Sequence, residues 1–250
     1  MSGHSKWSTI KHKKAATDAK RGKIFTRLAR EIAVAARKGG GDPEMNTALA
    51  LAISRAKAAN MPKDNIDRAV KKGTGEDKSG AAYDEVMYEG YGPNGVALMI
   101  ECATDNRRRT VADLRHVLTS GGGSLGEGGS VAWQFTQSAY FVLPAEGLDE
   151  EKIFELAVIG GADDVVEDGG IIEIIGEISS FKSIHDQLIG ASLQTNDAGL
   201  RMIPNQEMDL AVDETVKVMK VIERLEDLDD VQNVYSNLNI TDDALAQFGE

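Results

Sequence analysis

The stretch YFVLPAEGLDEEKIFELAVIGGADDVVEDGGIIEIIGEISSFKSIHDQLIGASLQTNDAGLRMIP, residues 140–204, decides the fold. It opens on an apolar run, Tyr140–Leu143, which reads as a strand, and continues into a helix at Glu150–Ile159. Two short β-rich runs follow, Asp164–Glu167 and Ile171–Ile175. A second helix, Ser180–Ala191, leads to a last strand, Leu200–Ile203. The order βαββαβ is that of a ferredoxin-like α/β sandwich.

On either side lie pieces too short to fold alone. Upstream, strand-like runs Glu85–Gly90 and Val96–Ala103 flank the turn Gly92-Pro93-Asn94-Gly95. A helix at Thr110–Leu118 then lines up Val111, Leu114 and Leu118, and Val131–Phe135 reads as a further strand opening the next unit. Downstream there is a helix, Glu214–Leu225, and a strand, Val231–Asn237. Together these pieces predict one domain built from 83–130 and 205–240, with residues 131–204 inserted into it.

Further upstream the apolar period becomes helical. Ile24, Leu28, Ile32 and Ala35 share one face, and Gly39–Gly41 stop the helix. Asp42-Pro43 reads as an N-cap and first-turn pair for a second helix carrying Leu49, Ile53 and Ala56. A third follows Pro62, with Ile66 and Val70 inward and Gly73 as C-cap. Residues 24–78 are thus expected as a helical bundle, 73–82 as a linker, and 1–23 as an irregular basic arm. The expected fold class is α+β: an N-terminal three-helix bundle plus two ferredoxin-like-type α/β sandwich domains, one inserted in the other.

Composition narrows the function. Of 250 residues 42% are hydrophobic, enough for packed cores, while aromatics reach only 5%, so those cores are mainly aliphatic. A lone cysteine, Cys102, allows no disulfide framework and no Cys-cluster zinc site. The N-terminus is polar and basic rather than signal-like, and no apolar run is long enough to span a bilayer. A soluble, cytoplasmic protein is expected, with no membrane partner.

The net charge of −12 conceals a division. Residues 1–80 hold 18 Lys and Arg against 8 Asp and Glu, whereas residues 81–250 hold 10 against 32. A basic segment on an otherwise acidic chain points to a polyanionic partner. Its densest part is the arm, where Lys6, Lys11, Lys13, Lys14, Lys20, Arg21 and Lys23 alternate with His4, Trp7 and His12. Such cations neutralise phosphates without reading sequence, and an indole stacks on an unpaired base. The competing reading is a solvated tail, or one docked on the chain's own carboxylates.

Arg107, Arg108 and Arg109 follow Asn106, a plausible N-cap. Cations at a helix N-terminus oppose its dipole, so the cluster suggests an anionic ligand or ion pairs with nearby carboxylates. Catalytic patterns are lacking. His4, His12, His116 and His185 form no HExxH, there is no GxSxG, and GGGSLGEGG at 121–129 lacks the Lys-Ser or Lys-Thr of a phosphate loop. The glycine-rich stretches read as hinges and Cys102 as a buried, inert thiol. No catalytic residue, cofactor, metal or small-molecule substrate is expected.

The opening Gly3-His4-Ser5-Lys6-Trp7, with Ile10-Lys11-His12-Lys13-Lys14, resembles the start of the YebC/PmpR family. The likeness continues through Lys23-Ile24-Phe25, Leu28, Arg30-Glu31-Ile32, Gly41-Asp42-Pro43 and Asn60-Met61-Pro62-Lys63. It extends to Asp105-Asn106-Arg107-Arg108, Gly121-Gly122, Gly126 and Val131-Ala132-Trp133, nearly the whole chain. The resemblance implies a helical domain followed by two α/β domains. It also implies a probable transcriptional regulator, related to mitochondrial activators of cytochrome c oxidase subunit synthesis and to factors acting on ribosomes stalled at proline-rich sequences. The expectation is a non-enzymatic regulator of gene expression whose partner is DNA or ribosomal RNA, with the ribosome as a candidate partner. A protein–protein adaptor is the further alternative. Lys6, Trp7, Lys11, His12, Lys13, Lys14, Lys20, Arg21, Lys23, Arg107, Arg108 and Arg109 are the expected contacts.

Overall fold

A computed structural model describes residues 18–77 and 82–249. Three helices come first: α1 (Asp18–Gly39), α2 (Thr47–Ala58) and α3 (Lys63–Thr74). They bury an aliphatic core of Leu28, Ile32, Ala36, Leu49, Ala52, Ala56, Met61, Ile66 and Ala69. Since α1 is already helical at Asp18, Lys20, Arg21 and Lys23 lie on a helix and not on an irregular arm. The strong helix formers Ala19, Lys20 and Arg21 carry the helix through a segment that lacks an apolar face.

Two local expectations are corrected here. Asp42 caps only a turn, accepting from Glu44 N at 2.9 Å. The N-cap of α2 is Asn46, whose Oδ1 accepts from Leu49 N at 3.1 Å. Its amide also donates to the Ala35 and Gly40 carbonyls, each at 2.9 Å, so one side chain closes α1 and opens α2. Gly73 is not a cap either. The left-handed cap is Gly75, at φ 79°, while Gly73 lies inside α3 against α1. A Cβ on Gly73 would overlap the Ala33 carbonyl oxygen and sit 2.8 Å from Ala36 Cβ.

The first α/β sandwich contains β1 (Asp84–Tyr91), β2 (Ala97–Thr104), α4 (Arg107–Ser120) and β3 (Ser124–Leu125). After the insertion the chain returns with α7 (Val212–Glu226), β8 (Val231–Ser236) and α8 (Asp242–Gly249). The antiparallel sheet runs β3-β1-β2-β8, so the β1–β2 hairpin takes its centre. Leu98, Ile100 and Cys102 face Leu114 and Leu118 of α4 and Met219, Ile222 and Leu225 of α7. Ala97 and Met99, on the other face of β2, pack with Val131, Phe135 and Tyr235. Burial on both faces explains why β2 reads as an unbroken apolar run rather than an alternating one.

The inserted sandwich comprises β4 (Phe135–Pro144), α5 (Glu150–Gly160), β5 (Ala162–Asp168), β6 (Ile171–Gly176), α6 (Phe181–Gly190) and β7 (Asp197–Pro204). Its sheet order, β5-β6-β4-β7, is wholly antiparallel and is that of a ferredoxin-like fold. Both helices cover one face, burying Phe141, Leu143, Ile153, Ala157, Ile174, Ile184 and Leu188. Val131–Phe135 is not a separate strand. Ala132–Gln134 form a single 3-10 turn, and β4 runs unbroken from Phe135. Here Phe135 begins a ten-residue strand whose first eight residues pair with Pro204 back to Asp197.

Candidate nucleic-acid interface

The cations of the bundle fall into two groups, one paired with the acidic sandwiches and one left to solvent. Lys23, Arg30 and Arg37 recur every seven residues on α1 and therefore share one face. That face meets the acidic sandwich. Lys23 Nζ lies 3.3 Å from an Asp227 carboxylate oxygen, and Arg37 Nη1 donates to the Tyr83 carbonyl at 2.7 Å, with Asp84 at 3.7 Å. Lys38 pairs with Glu85, and Lys72 Nζ sits 3.9 Å from the Tyr83 ring centroid. The exposed pairs each contribute about 0.2–1 kcal/mol, so they orient the bundle more than they hold it.

Arg30 is different, being buried. Its Nη1 donates to Asp230 Oδ1 and to the Asp229 carbonyl, both at 2.5 Å, and to the Ala103 carbonyl at 3.1 Å. Asp230 also accepts from Thr104 and Thr110 hydroxyls at 3.1 and 2.8 Å, and from Arg109 Nη2 at 2.8 and 2.9 Å. Burial alone would raise this carboxyl. Hydrogen bonds from Arg109, Thr110 and Arg30, with the Arg30 charge, overcome it and hold the pKa below the ordinary value. One carboxylate thus joins the bundle to β2, α4 and the turn before β8.

This hub absorbs much of the arginine cluster. Asn106 is the N-cap of α4, accepting from Arg109 N at 3.2 Å. Arg109 is occupied by Asp230 and by Asp105 at 2.9 Å, and Arg107 Nε by Asp84 at 3.1 Å. The carboxylates offset the opposing helix dipole. Arg108 alone of the three is exposed with no ion pair among the described residues. Lys6, Trp7, Lys11, His12, Lys13 and Lys14 lie outside the described residues. Lys20 and Arg21 are placed on α1, and Lys23 is drawn to Asp227.

The second group of cations was not among the expected contacts. Lys57, Lys63, Arg68 and Lys71 on α2 and α3 are exposed, with no ion pair among the described residues. Arg68 and Lys71 stand one turn apart on α3. Their signal in sequence is indirect. The seven-residue spacing on α1 marks the face that turns inward, and these four lie off it.

Other candidate features are structural. The glycine-rich segment is no hinge. Ser124–Leu125 pairs with β1, and a Cβ on Gly123 would overlap the Tyr91 carbonyl. Glu89 then accepts from Gly129, Val131 and Ala132 backbone N–H groups at 2.7–2.8 Å, fixing the passage into β4. Burial, and then the nearby Asp230 and Glu101 charges, push the Cys102 thiol up to about 12, which leaves it unreactive. Among the described residues no group of His, Cys, Asp and Glu could hold a metal ion, and no helix is long and apolar enough to cross a membrane.

Comparison with known proteins places these features in a family context. Residues 5–76 match the family model described as the TACO1/YebC protein N-terminal domain, and residues 83–238 that of the TACO1/YebC second and third domain. A "Probable transcriptional regulatory protein" of Bifidobacterium animalis subsp. lactis is 51% identical over 250 residues, with 100% of both chains covered. One of the same description from Desulfatibacillum aliphaticivorans is 47% identical, covering 99% of this chain and 100% of the relative. Among solved structures, a conserved hypothetical protein from Aquifex aeolicus superposes with a TM-score of 0.83 at 41% identity, covering 90% of this chain and 93% of the other.

Proposed function

The chain belongs to the TACO1/YebC family, and from that premise we propose that it is a non-enzymatic, nucleic-acid-binding regulator of gene expression acting in the cytoplasm. The names of its relatives support a transcriptional regulator. The observation that carries the binding reading is the sorting of the cations. The acidic sandwich neutralises one face of α1, while Lys57, Lys63, Arg68 and Lys71 are left to solvent on the bundle. Unpaired surface cations on a bundle that a Lys-rich segment precedes in sequence support an electrostatic footprint for phosphates. Lys6, Lys11, Lys13, Lys14, Lys20, Arg21 and Arg108 extend that footprint, and Trp7 and His12 supply stacking and polar contacts. We divide the chain accordingly: the basic segment and bundle hold the polyanion, and the sandwiches of 83–130 with 205–240 and of 131–204 stand away from it.

A second reading, ribosomal RNA as the polyanion, draws on the same placement. The basic face of α1 is packed on protein, so it does not present a row of Arg for the major groove. Recognition by backbone charge and shape suits structured RNA at least as well as a specific DNA sequence.

The test is binding to ribosomes, structured RNA and duplex DNA across a salt series. The proteins are the full chain, a deletion of residues 1–17 and the combined variant Lys57→Glu, Lys63→Glu, Arg68→Glu, Lys71→Glu. If the four cations each meet a phosphate, the variant loses about 3.6 from the slope of log K against log salt on duplex DNA, at about 0.9 per contact. A variant and a deletion that both keep the full slope would refute the interface. The ranking of the three ligands decides between the DNA and RNA readings.

A further inference from the structure

We propose that the inserted sandwich carries a docking groove for a cationic amphipathic helix of a partner protein, an activity separate from nucleic-acid binding. The groove lies where α5 meets the edge strand β5. It is lined by Phe154, Val165 and Ile172 and rimmed by Glu150, Glu151, Glu155 and Glu167.

Two independent features make this face unusual. The first is apolar. Of the nine large hydrophobic side chains exposed among the described residues, five belong to this one sandwich's helical side: Phe154, Val158, Ile159, Ile178 and Ile189. Phe154 and Val158 are one turn apart on α5 and are 54% and 52% exposed. The inward row of the same helix, Ile153 and Ala157, is complete without them, so folding does not require these side chains to be apolar. Exposed apolar surface that folding does not use marks an interaction site.

The second feature is charge. Residues 131–204 carry 13 Asp and Glu against 3 Lys and Arg. Glu151 and Glu155 flank Phe154 on α5, with Glu150 at the helix start and Glu167 across the groove on β5. No ion pair to these four is present among the described residues, in contrast with the carboxylates that meet the bundle: those of the first sandwich hold Lys23, Arg30, Arg37 and Lys38, and Asp197 of the inserted one holds Arg55.

The chemistry therefore specifies the occupant. Nucleic acid and anionic lipid are repelled by the rim. A helix with apolar residues at i, i+3 and i+4 would seat them on Phe154, Val158 and the half-buried Val165, with Ile172 forming the buried floor, and its flanking Lys or Arg would meet the glutamates. Basic segments of this kind are common on proteins that themselves bind nucleic acid. The groove gives the chain a means of engaging such a protein while the bundle engages the polyanion.

The test uses the full chain and a fluorescent synthetic helix of about 18 residues, with leucines on one face flanked by lysines, followed by anisotropy. Micromolar binding is expected, with an otherwise identical Glu-flanked peptide failing to bind. Phe154→Ser with Val158→Ser should weaken binding about tenfold, at low and high salt alike, with thermal stability unchanged. Glu151→Lys with Glu155→Lys should weaken it about tenfold at low salt only. Asp242→Lys with Asp243→Lys, an equal charge change on α8, should leave it unaltered. Binding that survives the α5 variants, or falls as far with the α8 variant, overturns the proposal. So does a dimer of the chain alone that Phe154→Ser and Val158→Ser disperse, which would give the face to a second copy. Tighter peptide binding after removal of residues 1–17 would likewise overturn it, giving the groove to the chain's own basic segment. None of the α5 variants should change nucleic-acid affinity, so this proposal and the nucleic-acid reading fail separately.

Discussion

At the scale of single residues, Asp230 has the largest consequences. Removing it leaves Arg30 buried with its charge uncompensated and takes an acceptor from the Thr104 and Thr110 hydroxyls. Breaking a buried pair in this way costs about 3–5 kcal/mol. Asp230→Ala should therefore lower the denaturant midpoint sharply, and much more than Asp227→Ala, whose pair with Lys23 is exposed. A second carboxylate sets the acid limit. Burial alone would raise Asp197, but the Arg201 and Arg55 charges bring it down to about 2. The unfolded carboxyl titrates near 3.9. The stabilisation is therefore fully present above about pH 4 and is lost as pH falls toward 2, by up to about 2 kcal/mol. Urea melts from pH 5 to 2 should show a shallower decline for Asp197→Asn than for the parent protein. Neither residue is legible in sequence. Asp230 ends an acidic run that reads as a solvated face, and nothing local shows that it turns inward to meet an arginine 200 positions earlier.

At the scale of elements, the helix and strand periods were mostly readable because each element buries one face. The exceptions have local causes. Ser124–Leu125 is too short for any period, and α8, hidden near the end of the chain, gains its place by burying Ala244 with Leu245 and Phe248 on the first sandwich. Glycines give the sharpest test. Alanine is the better helix former by about 0.8–1.0 kcal/mol. Gly22, with open space where a Cβ would stand, should follow that rule, and Gly22→Ala should raise the melting temperature slightly. Gly73 should reverse it. Gly73→Ala forces α3 from the Ala33 carbonyl of α1, and should destabilise by about 1–3 kcal/mol. Paired thermal melts of the two variants check the signs.

At the scale of the whole molecule, the βαββαβ order of residues 140–204 disclosed the second sandwich. The first was harder, because its strands are far apart in sequence. The site divides in the same way. Basic composition points to the first third of the chain as the cationic part, but not to which of its cations the acidic sandwich claims. That depends on contacts such as Arg37 with Tyr83 and Lys23 with Asp227. The entry and exit of 135–204 lie side by side, since Phe135 pairs with Pro204 and Asn205 N donates to the Gln134 carbonyl at 2.8 Å. A short Gly-Ser link between Gln134 and Asn205 should therefore leave a chain that still unfolds cooperatively, with a lower midpoint because Met99 and Tyr235 lose Phe135 and Met202. Calorimetry showing no transition would mean that the first sandwich depends on its guest.

The pairing of β2 with β8 also governs how the protein emerges from its own synthesis. Ala97–Thr104 leaves the ribosome with one edge open, and the strand that closes it, Val231–Ser236, follows about 125 residues later. At 5–20 residues per second that is a delay of roughly 6–25 seconds. The inserted sandwich is complete well before then and can fold meanwhile. A strand that ends up buried on both faces thus waits with one edge unpaired behind a finished domain, which makes chaperone contact with residues 97–104 a natural stage of its biogenesis.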